Sequence, residues 1–121
     1  MNSDQALKGQ VALVTGGARG IGASAAELLA ARGAIVHVSD VLDCADTVTA
    51  IERAGGVAQG HRLDIRDRQG CVDLAADIHA QHGRIDALVA NAGVCPPGSV
   101  AGEWEQWEEV IDININGTQN C

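Results

Sequence analysis

The stretch "VALVTGGARGIG", residues 11–22, runs from an apolar segment straight into four glycines within eight residues. Glycine loses more conformational freedom on folding than any other residue, so such density needs a reason. A strand that ends in a glycine-rich turn and opens a helix supplies one. Bare backbone there approaches a ligand closely, and the helix N-terminus favours negative charge such as a pyrophosphate. Gly16, Gly20 and Gly22 follow Thr15 as G-x-x-x-G-x-G, with Arg19 and Ile21 between them. That spacing is neither the common G-x-G-x-x-G nor a phosphate loop ending in Lys-Ser/Thr. Alone, the stretch also reads as a surface turn. Its place between an apolar run and a periodic helix favours the ligand reading.

The rest of the chain repeats this alternation. Apolar runs recur at 34–39, 57–63 and 85–90, separated by stretches with helical spacing. In the first of these, Ile21, Ala25, Leu28 and Leu29 fall on one face, and Gly33 stands where a C-terminal cap belongs. A weaker helix is predicted over 45–54. In the next helix Cys71, Leu74, Ala75 and Ile78 share a face, Asp67 is placed to cap its start, and Gly83 follows. A fourth helix is predicted over 103–116, with Trp104 and Trp107 as core or interface anchors. Alternation of this kind predicts right-handed βαβ units in an α/β, Rossmann-type, doubly wound parallel sheet. "VALV", "IVHV" and "ALVA" are apolar enough to be covered on both faces, whereas "VAQGHRL" suits an edge. The predicted strand order is therefore 3-2-1-4, which puts the glycine loop at the topological switch point.

Charge and cysteine content narrow the function further. A net charge of −8, a pI near 4.7 and a single lysine, Lys8, argue against a nucleic-acid or anionic-membrane surface. No stretch is long enough to span a bilayer, and "MNSDQALKG" lacks the pattern of a secretion signal. Cys44, Cys71, Cys95 and Cys121 have no zinc spacing and read as reduced thiols of a cytoplasmic protein. His79 and His82 lie three apart without a third ligand, which fits a solvated helix face better than a metal site. No metal is expected.

Asp40 closes the second apolar run, 24 residues after Gly16. An acidic side chain there accepts hydrogen bonds from the adenosine ribose diol, although Asp at a strand end also caps helices. The ribose reading implies NAD over NADP. Asp40 repels a 2′-phosphate, and no Lys or Arg follows in "VLDC", while Arg19 in the loop is the one feature pulling the other way.

With these motifs in order, the sequence resembles the short-chain dehydrogenase/reductase family from about Lys8 onward. "TGGARGIG" matches the family's T-G-x-x-x-G-x-G loop. "ANAG" at 90–93 matches its N-N-A-G stretch with Ala90 in place of the first Asn, and "LDIRD" and "WEEVIDININGT" fit its later segments. The resemblance implies that Asp64 and Ile65 contact the adenine ring, that Asn91, Ala92 and Gly93 wall the cofactor site, and that Asn114 is the catalytic Asn holding a water. From the residues alone, Asp64 also fits a turn into the next helix, Asn91 a cap, and Asn114 a frayed helix end.

The resemblance further implies a Tyr acid/base, a Lys four residues later and a carbonyl-orienting Ser. The chain has no Tyr, and its one Lys precedes the first strand. Residues 1–121 are therefore expected to be one dinucleotide-binding domain, incomplete relative to the family. It would belong to an enzyme moving hydride between NAD and a small alcohol or ketone, inactive as this chain alone and associating into a homo-oligomer through its fourth strand and helix. The alternative is a stand-alone NAD-binding or interaction module without catalysis. A methyltransferase on a similar sheet is disfavoured by the glycine spacing and the later N-A-G. The substrate is not legible.

Overall fold

The computed structural model describes residues 5–93. The predicted fourth helix, with Trp104, Trp107 and Asn114, lies outside the described residues, as do Cys95 and Cys121. Within them the chain runs β1 (Val11–Thr15), α1 (Gly20–Ala31), β2 (Ile35–Asp40), α2 (Ala45–Arg53), β3 (Val57–Arg62), α3 (Arg68–His82) and β4 (Ala87–Ala90). All strand pairs are parallel, in the order β3-β2-β1-β4. The predicted order is the observed one.

Register explains how the sheet is covered. Val11 pairs with Ile35 and Ala12 with Val36, so side chains of the two central strands alternate between faces in step. Val14, Val36 and Val38 face α1 and α2, packing with Ala26, Ala30 and Ile51. Val11 and Leu13 face the other way, onto Leu74 and Ile78 of α3. Every residue of β1 is buried, as a strand covered on both faces requires. The edge strand β3 is largely exposed.

Helix α1 differs from the predicted face. Ile21 is 80% exposed and Leu28 63%, while Gly22, Ala26 and Ala30 are buried. Leu29 is only partly buried against the core. The helix lies so near the sheet that only small side chains fit beneath it, so bulk is displaced outward. Its end is as predicted: Gly33 N–H donates to Ala30 O and Ala34 N–H to Leu29 O, a Schellman closure.

At α3, Asp67 accepts from Gly70 N–H at 2.9 Å, the predicted cap, and Cys71, Leu74 and Ile78 are buried. Asp67→Ala is expected to cost about 1 kcal/mol, seen as a thermal midpoint lower by a few degrees. An unchanged midpoint would mean the cap is redundant. His79 is exposed, but His82 turns inward to a buried neighbour, contrary to the solvated face expected for both. The start of β4 is fixed by two bonds between the same residues. Val11 N–H donates to the Asp86 carboxylate, and Asp86 N–H donates to Val11 O, both at 2.8 Å.

Candidate functional site

The glycine loop caps the carboxyl end of β1, where β2 lies on one side and β4 on the other. Its glycines have separate jobs. Gly16 sits at φ +67°, and a Cβ there would be 2.7 Å from Ala92 Cα. A Cβ on Gly22 would be 2.2 Å from the Gly16 carbonyl oxygen. These two let the loop, the first turn of α1 and the segment after β4 touch backbone to backbone. Gly20 is different, because a Cβ there would meet nothing within 4 Å. Its missing side chain leaves free space above the helix start.

Four side chains fix the loop. Thr15 Oγ1 accepts from Asn91 N–H at 3.1 Å and Ala92 N–H at 3.2 Å, and donates toward Val89 O at 3.4 Å. The Asn91 side-chain amide donates to Gly16 O at 3.1 Å. Asp40 accepts from Ala18 N–H at 3.0 Å through one oxygen and from Leu42 N–H at 3.1 Å through the other. Thr47, buried on α2, donates to Gly17 O at 2.8 Å, with Ala18 O at 3.2 Å. Helix α1 itself starts without a side-chain cap and without an acidic residue in its first turn. The amides of that turn have no intrahelical acceptor, so the positive end of the helix stays available.

Beside the loop lies a cleft of about 570 Å³. Of the residues singled out from sequence, Gly16, Arg19, Gly20, Asp40, Asp64, Ile65, Asn91, Ala92 and Gly93 line it. Thr15 and Gly22 lie beneath the loop instead, and Ile21 points out on the helix surface. Asn114 is outside the described residues. Asp40 was open between ribose contact and helix cap, and it does not cap α2, whose first amide at Ala45 is bonded by Asp43.

Sequence reasoning missed Val41, Leu42, Leu63 and Arg66, which complete the lining, and Thr47. Arg66 is legible only in retrospect, two residues after Asp64 in "LDIRD". Its guanidinium bonds the Asp64 carboxylate at 2.6 to 3.1 Å, and its backbone N–H adds a bond of 3.0 Å. The Arg66 side chain thereby holds the Asp64 carboxyl below the usual carboxylate range. No motif pointed to Thr47, because a buried helical Thr has no spacing signature.

A second cavity, of about 550 Å³, opens between β3 and α3. Asp64, Asp67, Asp73 and Asp77 line it, so it repels a polyanion. The cleft over Gly20 lies at the uncapped start of α1.

The family model for short chain dehydrogenase matches residues 10–121. The chain belongs to the short-chain dehydrogenase family. It is 41% identical over 120 residues to a cis-4-hydroxycyclohexanecarboxylate dehydrogenase of Sinomonas cyclohexanicum, covering 97% of this chain and 48% of that protein. It is 42% identical over 114 residues to short-chain reductase protein NovJ of Streptomyces niveus, covering 92% and 44%. Among solved structures, a short chain dehydrogenase from Mycobacterium paratuberculosis bound to NAD superposes with a TM-score of 0.87 at 33% identity, covering 94% of this chain and 48% of that one. A metagenomic short-chain oxidoreductase in complex with NADP superposes with a TM-score of 0.87 at 35% identity, covering 94% and 53%. The short-chain dehydrogenase chain described here thus spans about half the length of the relatives it matches.

Proposed function

We propose that residues 1–121 form a dinucleotide-binding domain of an NAD(P)-dependent oxidoreductase that moves hydride between a nicotinamide cofactor and a small alcohol or ketone. The observation that carries this is the open space over Gly20, at an uncapped helix N-terminus beside a pinned loop. A pyrophosphate fits such a cradle, because bare amides face it and no side chain fills it. Gly16, Arg19, Gly20 and the outward Ile21 would border the phosphates, with Thr15 and Gly22 shaping the loop from below. Asp40 would accept from the adenosine ribose, Asp64 and Ile65 would border the adenine, and Asn91, Ala92 and Gly93 would wall the nicotinamide side. A bound nicotinamide supplies the hydride acceptor or donor. The chain contains no Tyr, so the acid/base that the family resemblance assigns to this chemistry has no counterpart among its residues. Asn114 would hold a water in the complete relay. Association into a homo-oligomer is supported by the central-strand composition of "ALVA" and by the family resemblance of the helix that follows. A cytoplasmic setting is favoured by Cys44 and Cys71, which are buried and form no disulfide. Among the described residues no helix is long and apolar enough to cross a membrane.

Titration with NADH, followed by its fluorescence, tests the binding role beside S-adenosylmethionine as the competing adenosine ligand. Saturable NADH binding that is lost in Gly20→Asp, which puts a carboxylate into the cradle, is the expected result. Binding of S-adenosylmethionine alone would transfer the site to another chemistry.

We further propose that NAD is preferred to NADP. Both Asp40 oxygens are oriented by backbone amides, so its charge stays beside the loop rather than swinging into solvent. Asp40→Asn keeps the size and removes the charge. It is expected to improve NADPH affinity relative to NADH by roughly fivefold, or about 1 kcal/mol, the scale of one charge pair near water. Wild-type protein that binds NADPH more tightly than NADH would refute the preference.

A further inference from the structure

Three histidines meet on the α3 side of the sheet, away from the cleft. His37 is fully buried in β2, the second strand of the sheet. Its Nδ1 lies 2.8 Å from Nε2 of His61 in β3, and its Nε2 lies 2.9 Å from Nε2 of His82 in the last turn of α3. Ring centroids are 5.1 and 5.0 Å apart. The nitrogens face one another in a chain, with His37 in the middle. Nothing in the nucleotide site uses these groups.

Proton counting shows what the chain tolerates. Each of the two contacts needs one N–H, no more and no fewer. Three neutral rings meet that requirement, with His37 donating to one neighbour and accepting from the other. One added proton is also accommodated, for example with His37 donating both ways. A second proton is not, because two N–H groups then face each other in at least one contact. Burial sets the first barrier, since an imidazolium at His37 would have no water.

We propose that the His61–His37–His82 chain is a pH-sensitive clasp, which ties the carboxyl-terminal turn of α3 to β2 and β3 while neutral and releases it as protons are taken up in mild acid. The surrounding charges are few. Strand β1 offers only apolar residues and Thr15 beside His37. From β3 come His61 and Arg62, and from α3 come Asp73 and Asp77 along the cavity that His61 lines. Asp77 favours a proton on His61, although burial there acts more strongly and lowers its pKa overall. The chain accommodates the first proton, and the second opens a contact.

The direction follows from linkage. Burial, with His61 and His82 adding, pushes the pKa of His37 down from 6.5 to about 4. The unfolded chain then binds more protons than the folded one between those values, so stability is lost as pH falls below 6.5. That gap sets a ceiling of about 300-fold on the change in folded-to-unfolded ratio from His37.

The experiment is urea denaturation of the full chain from pH 7.5 to 4.5, for wild type, His37→Gln and His82→Gln. His82, like His61, is partly exposed, so His82→Gln serves if the buried substitution prevents folding. Wild type is expected to lose more than tenfold in folded-to-unfolded ratio beyond what His37→Gln loses, since glutamine hydrogen-bonds without titrating, and His82→Gln, which keeps the buried His37, is expected to fall between the two. Amide exchange in the last turn of α3 is expected to accelerate over the same range in wild type only. Equal pH dependence in wild type and His82→Gln would overturn the clasp, as would an α3 exchange rate indifferent to pH.

Discussion

Gly22→Ala is expected to destabilise the protein severely, although it adds one methyl group to a helix and raises helix propensity by about 1 kcal/mol. The added carbon would stand 2.2 Å from the Gly16 carbonyl oxygen and 2.7 Å from the Asn91 side-chain nitrogen. The first is backbone of the pinned loop and has no rotamer to change. Relief requires lifting α1 from the sheet, which breaks the Ala26 and Ala30 packing and the Asn91–Gly16 hydrogen bond. A loss of about 3 kcal/mol or more is expected, the range of severe overpacking, measurable as a collapse of the thermal midpoint by circular dichroism. Gly20→Ala is the control. Its Cβ meets nothing within 4 Å, so only the left-handed backbone at φ +61° resists it, at about 1 to 2 kcal/mol. That variant should fold yet bind NADH poorly, because its methyl group intrudes where a phosphate would approach. Equal stability of the two variants would show that the close approach at Gly22 is not what holds the helix.

Thr15→Val is expected to be nearly as damaging, with no change in shape. The hydroxyl serves the backbone amides of both Asn91 and Ala92, and the residue is 1% exposed. Valine fits the space and strands the Ala92 N–H, while Asn91 N–H keeps only its bond to Val89 O at 3.0 Å. A stranded donor costs about 1 to 3 kcal/mol, and a loss of that size is expected from equilibrium denaturation. Thr15→Ser, which restores the acceptor, should recover most of it. If serine recovers nothing, the methyl group of Thr15 matters and the hydrogen bonds do not.

The strands were legible because their composition reports burial. "VALV" and "IVHV" read as covered on both faces and are, and "VAQGHRL" read as an edge and is, whereas "ALVA" read as covered and is largely exposed at the outer position of the described sheet. The face of α1 was not legible. Periodicity rewards large apolar side chains, whereas a helix pressed onto a sheet selects small ones, so Ile21 and Leu28 drew attention from Gly22, Ala26 and Ala30. In the site, the glycine loop and Asp40 announce themselves through spacing and a strand end, and the segment from Asn91 to Gly93 through the family resemblance. Thr47 and Arg66 do not, because their roles depend on which carbonyl or carboxylate the fold brings near. His37 passed as part of an apolar run, and its partners lie 24 and 45 residues further along the chain.

The bonds that set Thr15 span 76 and 77 residues. During synthesis the chain grows from the amino end, so its glycine turn is made early and finished late. Until Asn91 and Ala92 have left the ribosome, Thr15 has no amides to accept from, and the turn is held only from the β2 and α2 side, by Asp40 and Thr47. On the proposed reading, tight nucleotide capture reports that the fourth strand has docked, and it rewards chains that have completed the sheet.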